Sequence, residues 1–201
     1  MDEIVLRALR KWPDVPAVYG WLSLDRRGNW SIKGERVANP ALAGFIARNY
    51  TCDAMGRWYF QNGPQRVFVT LAYVPYVYRT LPLKGGGLGL SAHTGVSAHR
   101  PGTAWLDDTG AVLLETELGV GVIHDSDLPD LVASLCGPSG EPLEDGAIER
   151  LLTLPPSAES DAPKLMLAGH ALELSYIRSA EVPARFGFVP DPRPAPGEPE
   201  C

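Results

Sequence analysis

The sequence predicts an α+β protein, β-hairpin-rich, built as two similar lobes that each hold antiparallel strands and a short helix. Three observations predict it. One turn code, Asp-x-x-Gly between apolar strands, occurs three times. Helix-start signals fall between the hairpins. A 13-residue stretch returns at a constant offset of 106. With 201 residues, 45% of them hydrophobic, the chain can bury a real core as one large domain or two small ones.

Residues 1–14 come first. Ile4, Val5, Ala8, Leu9 and Trp12 recur at helical spacing, Asp2 is available as N-cap, and Arg7, Arg10 and Lys11 precede the stop at Pro13. This predicts a short amphipathic helix that packs on its own domain. The first lobe, 15–82, opens with "LSLDRRGNWSI". A three-residue loop, Arg26, Arg27 and Gly28, closed by Asp25 and Asn29, pairs Leu24 with Trp30 and Leu22 with Ile32. The glycine supplies the left-handed residue of a type I turn plus bulge, and the aspartate bonds the backbone ahead of it. The same code in "NYTCDAMGRWYF" pairs Cys52 with Trp58 and Tyr50 with Phe60; in "AWLDDTGAVLL" it pairs Trp105 with Leu113.

Between the hairpins, Asn39 and Pro40 open the helix "NPALAGFIARN", with Leu42, Phe45 and Ile46 inward. Asp127, as N-cap, and Pro129 open "DLPDLVASLCG", with Leu128, Leu131, Val132 and Leu135 inward; a strand is the alternative for "LVASLC". The repeat lays "GERVANPALAGFI" (34–46) over "GEPLEDGAIERLL" (140–152), so that Asn39 matches Asp145, and Leu42, Phe45 and Ile46 match Ile148, Leu151 and Leu152. An apolar hairpin follows each copy, "RWYFQNGPQRVFV" and "KLMLAGHALEL". The Gly-rich residues 83–103 read as a loop or linker, 104–186 as the second lobe, and 187–201 as a Pro-rich disordered tail.

The combination of "YGWLSLDRRGNWSIKGERVANPALAGFIARNY" and "GRWYFQNGPQRVFVTLAYVPYVYR" resembles uncharacterised proteobacterial families, domains of unknown function built on a duplicated β-rich repeat. The resemblance implies a small two-lobed α+β protein with a role in signalling or ligand sensing. It brings no catalytic residues.

The chemistry-bearing motifs lead the same way. "KGGGLGLSAH" lacks the GK[ST] ending of a phosphate-binding loop. His93, His99, His124 and His170 form no HxH or HExxH pair, and Cys52, Cys136 and Cys201 form no CxxC, so neither metal nor cofactor is expected. No G-x-S-x-G occurs, and Cys52, alternating with Tyr50, reads as a small apolar side chain. No catalytic residue is expected. The net charge of −6 is uneven: residues 1–80 carry 11 Lys plus Arg against 6 Asp plus Glu, the remainder 7 against 18. A basic lobe either meets an anion or complements the acidic lobe, within one molecule or in a homodimer. An acidic N-terminus, unpaired cysteines and no long apolar run predict a cytoplasmic chain without a membrane partner.

The stretch "DAMGRWYFQNGPQRVFV" remains. Strand alternation puts Trp58, Phe60, Val67, Val69 and Leu71 on a core face, and Arg57, Tyr59, Arg66 and Phe68, with Gln61 and Thr70, on the other. Those four are the candidate ligand-binding residues. The expected function is a non-enzymatic module that binds a small molecule or a protein. The alternative is nucleic-acid binding, in which bases stack on Tyr59 and Phe68 beside the two arginines.

Overall fold

The structure, a computed structural model, describes residues 1–13, 15–84, 86–143, 146 and 163–195. It is mostly β: two sheets, of six and nine strands, with four short helices among the described residues. The chain divides into two compact units, 1–75 together with 183 onward, and 76–182.

The first unit begins with α1 (Glu3–Lys11), followed by β1 (Val18–Leu24), β2 (Trp30–Ile32), β3 (Glu35–Arg36), α2 (Pro40–Arg48), β4 (Tyr50–Cys52), β5 (Trp58–Asn62) and β6 (Gln65–Leu71). The sheet order is β3-β2-β1-β6-β5-β4. The registers expected from the turn code hold: Leu24 faces Trp30, Leu22 faces Ile32, Cys52 faces Trp58 and Tyr50 faces Phe60. The sheet is mixed rather than antiparallel, because β1 and β6 run parallel at its centre. Antiparallel neighbours come from tight local turns, whereas a parallel pair needs a crossover, here the whole length of the unit.

Asn39 caps α2 as expected, its Oδ1 accepting from the N–H groups of Ala41 at 2.9 Å and Leu42 at 3.2 Å. Of the helix's inward residues Ile46 is fully buried, but Leu42 stays 38% exposed. Phe45 packs edge-on against Phe60, and Tyr50 lies between Trp30 and Trp58. Asp2 does not cap α1. Its carboxylate pairs with Arg48 at 3.3 Å, and its backbone N–H donates to the buried Asn49 at 2.7 Å, fastening α1 to the end of α2. Only Val5 of the α1 stripe is buried; Ile4 and Trp12 face outward.

The second unit contains β7 (Tyr76–Pro82), β8 (Leu88–Ala92), β9 (Ser97–Ala98), β10 (Ala104–Asp107), β11 (Val112–Thr116), β12 (Gly119–Ile123), α3 (Leu128–Val132), β13 (Leu135–Cys136), β14 (Lys164–Leu167) and β15 (His170–Ile177). Its sheet order is β13-β14-β15-β10-β11-β12-β7-β8-β9. Trp105 faces Leu113 as the third turn code predicts. From β12 to β13 the succession of the first sheet recurs, with β10 and β15 as the parallel central pair and a helix after the third strand. The helix in that place is α3. Residues 144–145 and 147–152 of the expected second copy lie outside the described residues. α3 ends early at Val132, and only Leu135 and Cys136 form a strand, so "LVASLC" divides between the helix and the strand readings.

All three Asp-x-x-Gly turns close in one way. The aspartate N–H donates to the carbonyl four residues on, and the glycine N–H donates back to the aspartate carbonyl. Oδ1 takes two further N–H groups: Arg27 and Asn29 at Asp25, Met55 and Arg57 at Asp53, Thr109 and Ala111 at Asp107. The glycines sit at φ 81°, 74° and 80°. The same backbone closure recurs without an aspartate at Leu83–Gly87, Ala92–Val96 and Gly137–Glu141. Two of these bracket β8, so the Gly-rich residues 83–103 carry sheet, not only loop.

After α4 (Val182–Phe186) the described part of the Pro-rich tail docks on the first unit. The N–H of Val189 donates to Gly56 at 2.9 Å, Leu71 N–H donates to Pro190 at 2.7 Å, and Thr70 Oγ1 donates to Asp191 at 3.2 Å. Phe188 is buried. Residues 188–191 are therefore an ordered strap; 196–201 lie outside the described residues.

Candidate functional site

The structure brings Arg57, Tyr59, Arg66 and Phe68 together, but not as an open face. Tyr19 of β1 stacks on Phe68 with centroids 4.6 Å apart, and Tyr59 meets Phe68 edge-on at 5.7 Å. Phe68 is 1% exposed and Tyr59 8%. The Arg57 guanidinium lies 4.6 Å from the Phe68 centroid and its Nε donates to Asp53 at 2.7 Å; Arg66 lies 5.2 Å from the Tyr59 centroid. Base stacking needs a free aromatic face, and these rings are covered. The alternation is right and the stacking inference fails, because Tyr59 and Phe68 are buried as well as Trp58, Phe60 and Val69. Nothing in this geometry supports nucleic-acid binding.

The apolar site is on the opposite side of the same sheet. A cleft of about 160 Å³ is lined by Val18, Trp21 and Leu22 of β1, Ile32 of β2, Ile46 of α2, Phe60 and Asn62 of β5, and Gln65 and Val67 of β6. A break in strand register builds it. Val18 pairs with Val67 and Leu22 with Val69, so β1 advances four residues while β6 advances two. Gly20, at φ 69°, lies inside the break. A bulge re-aims the side chains around it, and here it delivers Trp21 to the cleft beside Leu22 instead of stacking it in line with Tyr19.

Trp21 is 45% exposed and Ile32 is at the exposed margin. Lys33 fixes the indole from outside: its ammonium lies 3.6 Å from the ring centroid, and its N–H donates to the Trp21 carbonyl at 2.7 Å. Lys33 holds φ 51° in the two-residue turn with Gly34 that joins β2 to β3. The cleft thus has mainly apolar walls with two carboxamides among them, and the Lys33 ammonium lies over the ring of one wall residue, Trp21. None of the four expected site residues lines it. A glycine inside an otherwise alternating strand, "VYGWLSL", is the signal that could have found it.

In the second unit Asp127, expected as an N-cap, makes no capping bond. It is 5% exposed and holds Arg79 in two hydrogen bonds, at 2.7 and 2.9 Å, while accepting from Thr80 N–H and Ser126 Oγ. Burial opposes its ionisation, but the hydrogen bonds from Arg79, Thr80 and Ser126 outweigh that and hold its pKa at about 2, below the ordinary 3.8. A carboxylate with a depressed folded-state pKa contributes stability that is complete above about pH 4 and lost as pH falls toward 2. With Arg79 half in solvent, about 1–2 kcal/mol is the expected size. Urea midpoints measured from pH 5 to 2 should show Asp127→Asn less stable at pH 5 and the gap closing by pH 2. A constant gap overturns the assignment.

Ser126 Oγ also lies 2.9 Å from His124 Nδ1, but Ser126 N–H and Asp125 crowd that same nitrogen. A serine–histidine pair activated for attack requires the acid on the other ring nitrogen. This is a loop-closing cluster. Among the described residues no three His, Cys, Asp or Glu side chains gather to hold a metal ion, and no helix is long and apolar enough to cross a membrane.

Comparison with known proteins adds the following. A family model described as "Protein of unknown function (DUF2946)" matches residues 1–193. No curated protein matches the chain. The crystal structure of a DUF1285 family protein from Silicibacter pomeroyi DSS-3 is 17% identical and superposes with a TM-score of 0.51, covering 87% of this chain and 96% of that one. A DUF1285 family protein from Shewanella baltica OS155 is 19% identical, with a TM-score of 0.44 over 59% of this chain and 92% of its own. The first likeness shows a shared fold and no more.

Proposed function

The chain belongs to a family whose description names no activity, "Protein of unknown function (DUF2946)", and from that premise we propose that it is a non-enzymatic binding module whose first unit holds an apolar group in the cleft under Trp21. The observation that carries the reading is the cleft itself: a lining drawn from five elements, seven of its nine residues apolar, with a half-exposed indole and two amides. Binding sites are concave, mostly apolar, and oriented by a few polar groups. An apolar cavity of about 150 Å³ accepts a benzene-sized molecule, which sets the scale of the group bound here.

The recurring strand succession supports a second part of the proposal, that the chain holds two copies of a unit of three strands, a helix and three strands. Their first turns, at Asp25 and Asp107, stand 82 residues apart and their last hairpins, from Asn62 and Leu167, 105 apart. At the offset of 82 Gly20 falls on Gly102, which is not left-handed, and Trp21 falls on Thr103, so the binding role belongs to the first copy. The module is read as cytoplasmic, with a small molecule or a protein side chain as its partner.

Titration with toluene, followed by amide NMR, tests the cleft. Resonances of β1, β2 and β6 should move together with a Kd near about 1 mM, the range open to so small a ligand. Ile32→Trp, at the exposed margin, should block the response. Shifts confined to other regions would sink the reading.

A further inference from the structure

The margin of the cleft says more about the ligand than its walls do. We propose that the natural occupant is a small organic carboxylate with an apolar body, its ring or branched chain in the cleft and its carboxylate at Lys33. The assignment rests on the reading of the cleft as a binding site.

Position comes first. Lys33 does not wander as a surface lysine does. Its backbone is tied to Trp21, its φ is held in the left-handed region by the turn, and its ammonium is parked over the indole that walls the cleft. An ammonium already held over the Trp21 ring loses little further side-chain freedom when an anion arrives. Charge agrees. Residues 1–75 and 183–201 together carry 12 Lys plus Arg against 9 Asp plus Glu, so the net charge of this unit favours an incoming anion. Asn62 and Gln65, the Gln65 Nε2 donating to the Pro16 carbonyl at 3.2 Å, line the cleft from β5 and β6, across from Ile32 in the strand order β2-β1-β6-β5. Size then limits the body. A space of about 160 Å³ takes one phenyl ring or a branched alkyl group, and anything longer must reach beyond the cleft walls, one of which, Trp21, carries the Lys33 ammonium over its ring.

The experiment compares 3-phenylpropionate with its neutral isostere 3-phenylpropionamide, both titrated by amide NMR at low salt, with toluene as the body alone. The carboxylate should bind at least about fivefold more tightly than the amide. In Lys33→Gln that ratio should fall to about one while the amide's own affinity is unchanged, and added salt should narrow the ratio in the wild type. Equal affinities of acid and amide in the wild type overturn the proposal and leave the apolar cleft standing. A ratio that persists in Lys33→Gln overturns it too, by placing the carboxylate elsewhere. An acetylated peptide ending in phenylalanine that binds at least tenfold more tightly than 3-phenylpropionate replaces the free acid with a peptide terminus. Silence from toluene and both isosteres removes the cleft reading with the proposal.

Discussion

Gly56→Ala is expected to destabilise the first unit by about 3–5 kcal/mol, against about 1–2 kcal/mol for Gly34→Ala in the same unit. Both glycines are left-handed, at φ 74° and 83°, so each substitution carries the same backbone penalty. They differ in what a Cβ would meet. At Gly34 nothing lies within 4 Å, whereas at Gly56 the Cβ would fall 2.0 Å from the carbonyl oxygen of Gly187 and 3.0 Å from the Cα of Phe188. Backbone cannot rotate away as a side chain can. The strap must lift, and with it go the hydrogen bonds of Val189 to Gly56 and Leu71 to Pro190 and the burial of Phe188. Urea melts give the two energies, and amide hydrogen exchange at Leu71 and Val189 gives the cause: protection should fall in Gly56→Ala and survive in Gly34→Ala. Equal costs for the two variants would show that the strap does not bear on the turn.

Gly121→Ala should cost the second unit about 3 kcal/mol, for a different reason. Its φ is ordinary, so alanine brings no backbone penalty there. The space beside it is filled by Tyr78: an added Cβ would lie 2.3 Å from Cε2 and 2.6 Å from Cδ2 of that ring, and 2.9 Å from the Cβ of Tyr76. Tyr78 is fully buried, and its hydroxyl is held by Thr116 at 2.7 Å and the Gly119 carbonyl at 2.8 Å, so the ring cannot swing aside without breaking both. Burial also pushes its phenol well above the usual range, which keeps that proton in place through alkaline pH. The double-mutant cycle with Tyr78→Leu isolates the clash. The alanine should cost at least about 1 kcal/mol less once the ring is gone, and strict additivity would refute the account.

What could be read in advance follows the range of the interactions. The hairpin registers at Asp25, Asp53 and Asp107 were legible because side chain and backbone within five residues determine them. The Asn39 cap was legible for the same reason. The turns at Leu83, Ala92 and Gly137 use identical backbone bonds with no aspartate to announce them, so the strand between the first two passed for linker. The parallel pairing of β1 with β6 joins residues about 47 apart, and without it Phe68 looks free when Tyr19 covers it. Asp127 shows the limit from the other side: its spacing before a proline reads as a cap, and an arginine 48 residues upstream claims the carboxylate. For the candidate site, Arg57, Tyr59, Arg66 and Phe68 do share a face as the alternation predicts, and Tyr59 and Phe68 are covered there. Trp21 was hidden by a two-residue break in register that only Gly20 hinted at.

The strap also orders events in time. The first unit is written in two pieces, 1–75 and 183 onward, with the 107 residues of 76–182 synthesised in between. At roughly 5–20 residues per second, its open edge at Gly56 and Leu71 waits about 5–20 s for its last hydrogen bonds, while the second unit emerges whole and uninterrupted. Assembly on the ribosome therefore runs against the direction of reading: the unit begun second is completed first, and the cleft-bearing unit matures only after residues 183–191 have followed it.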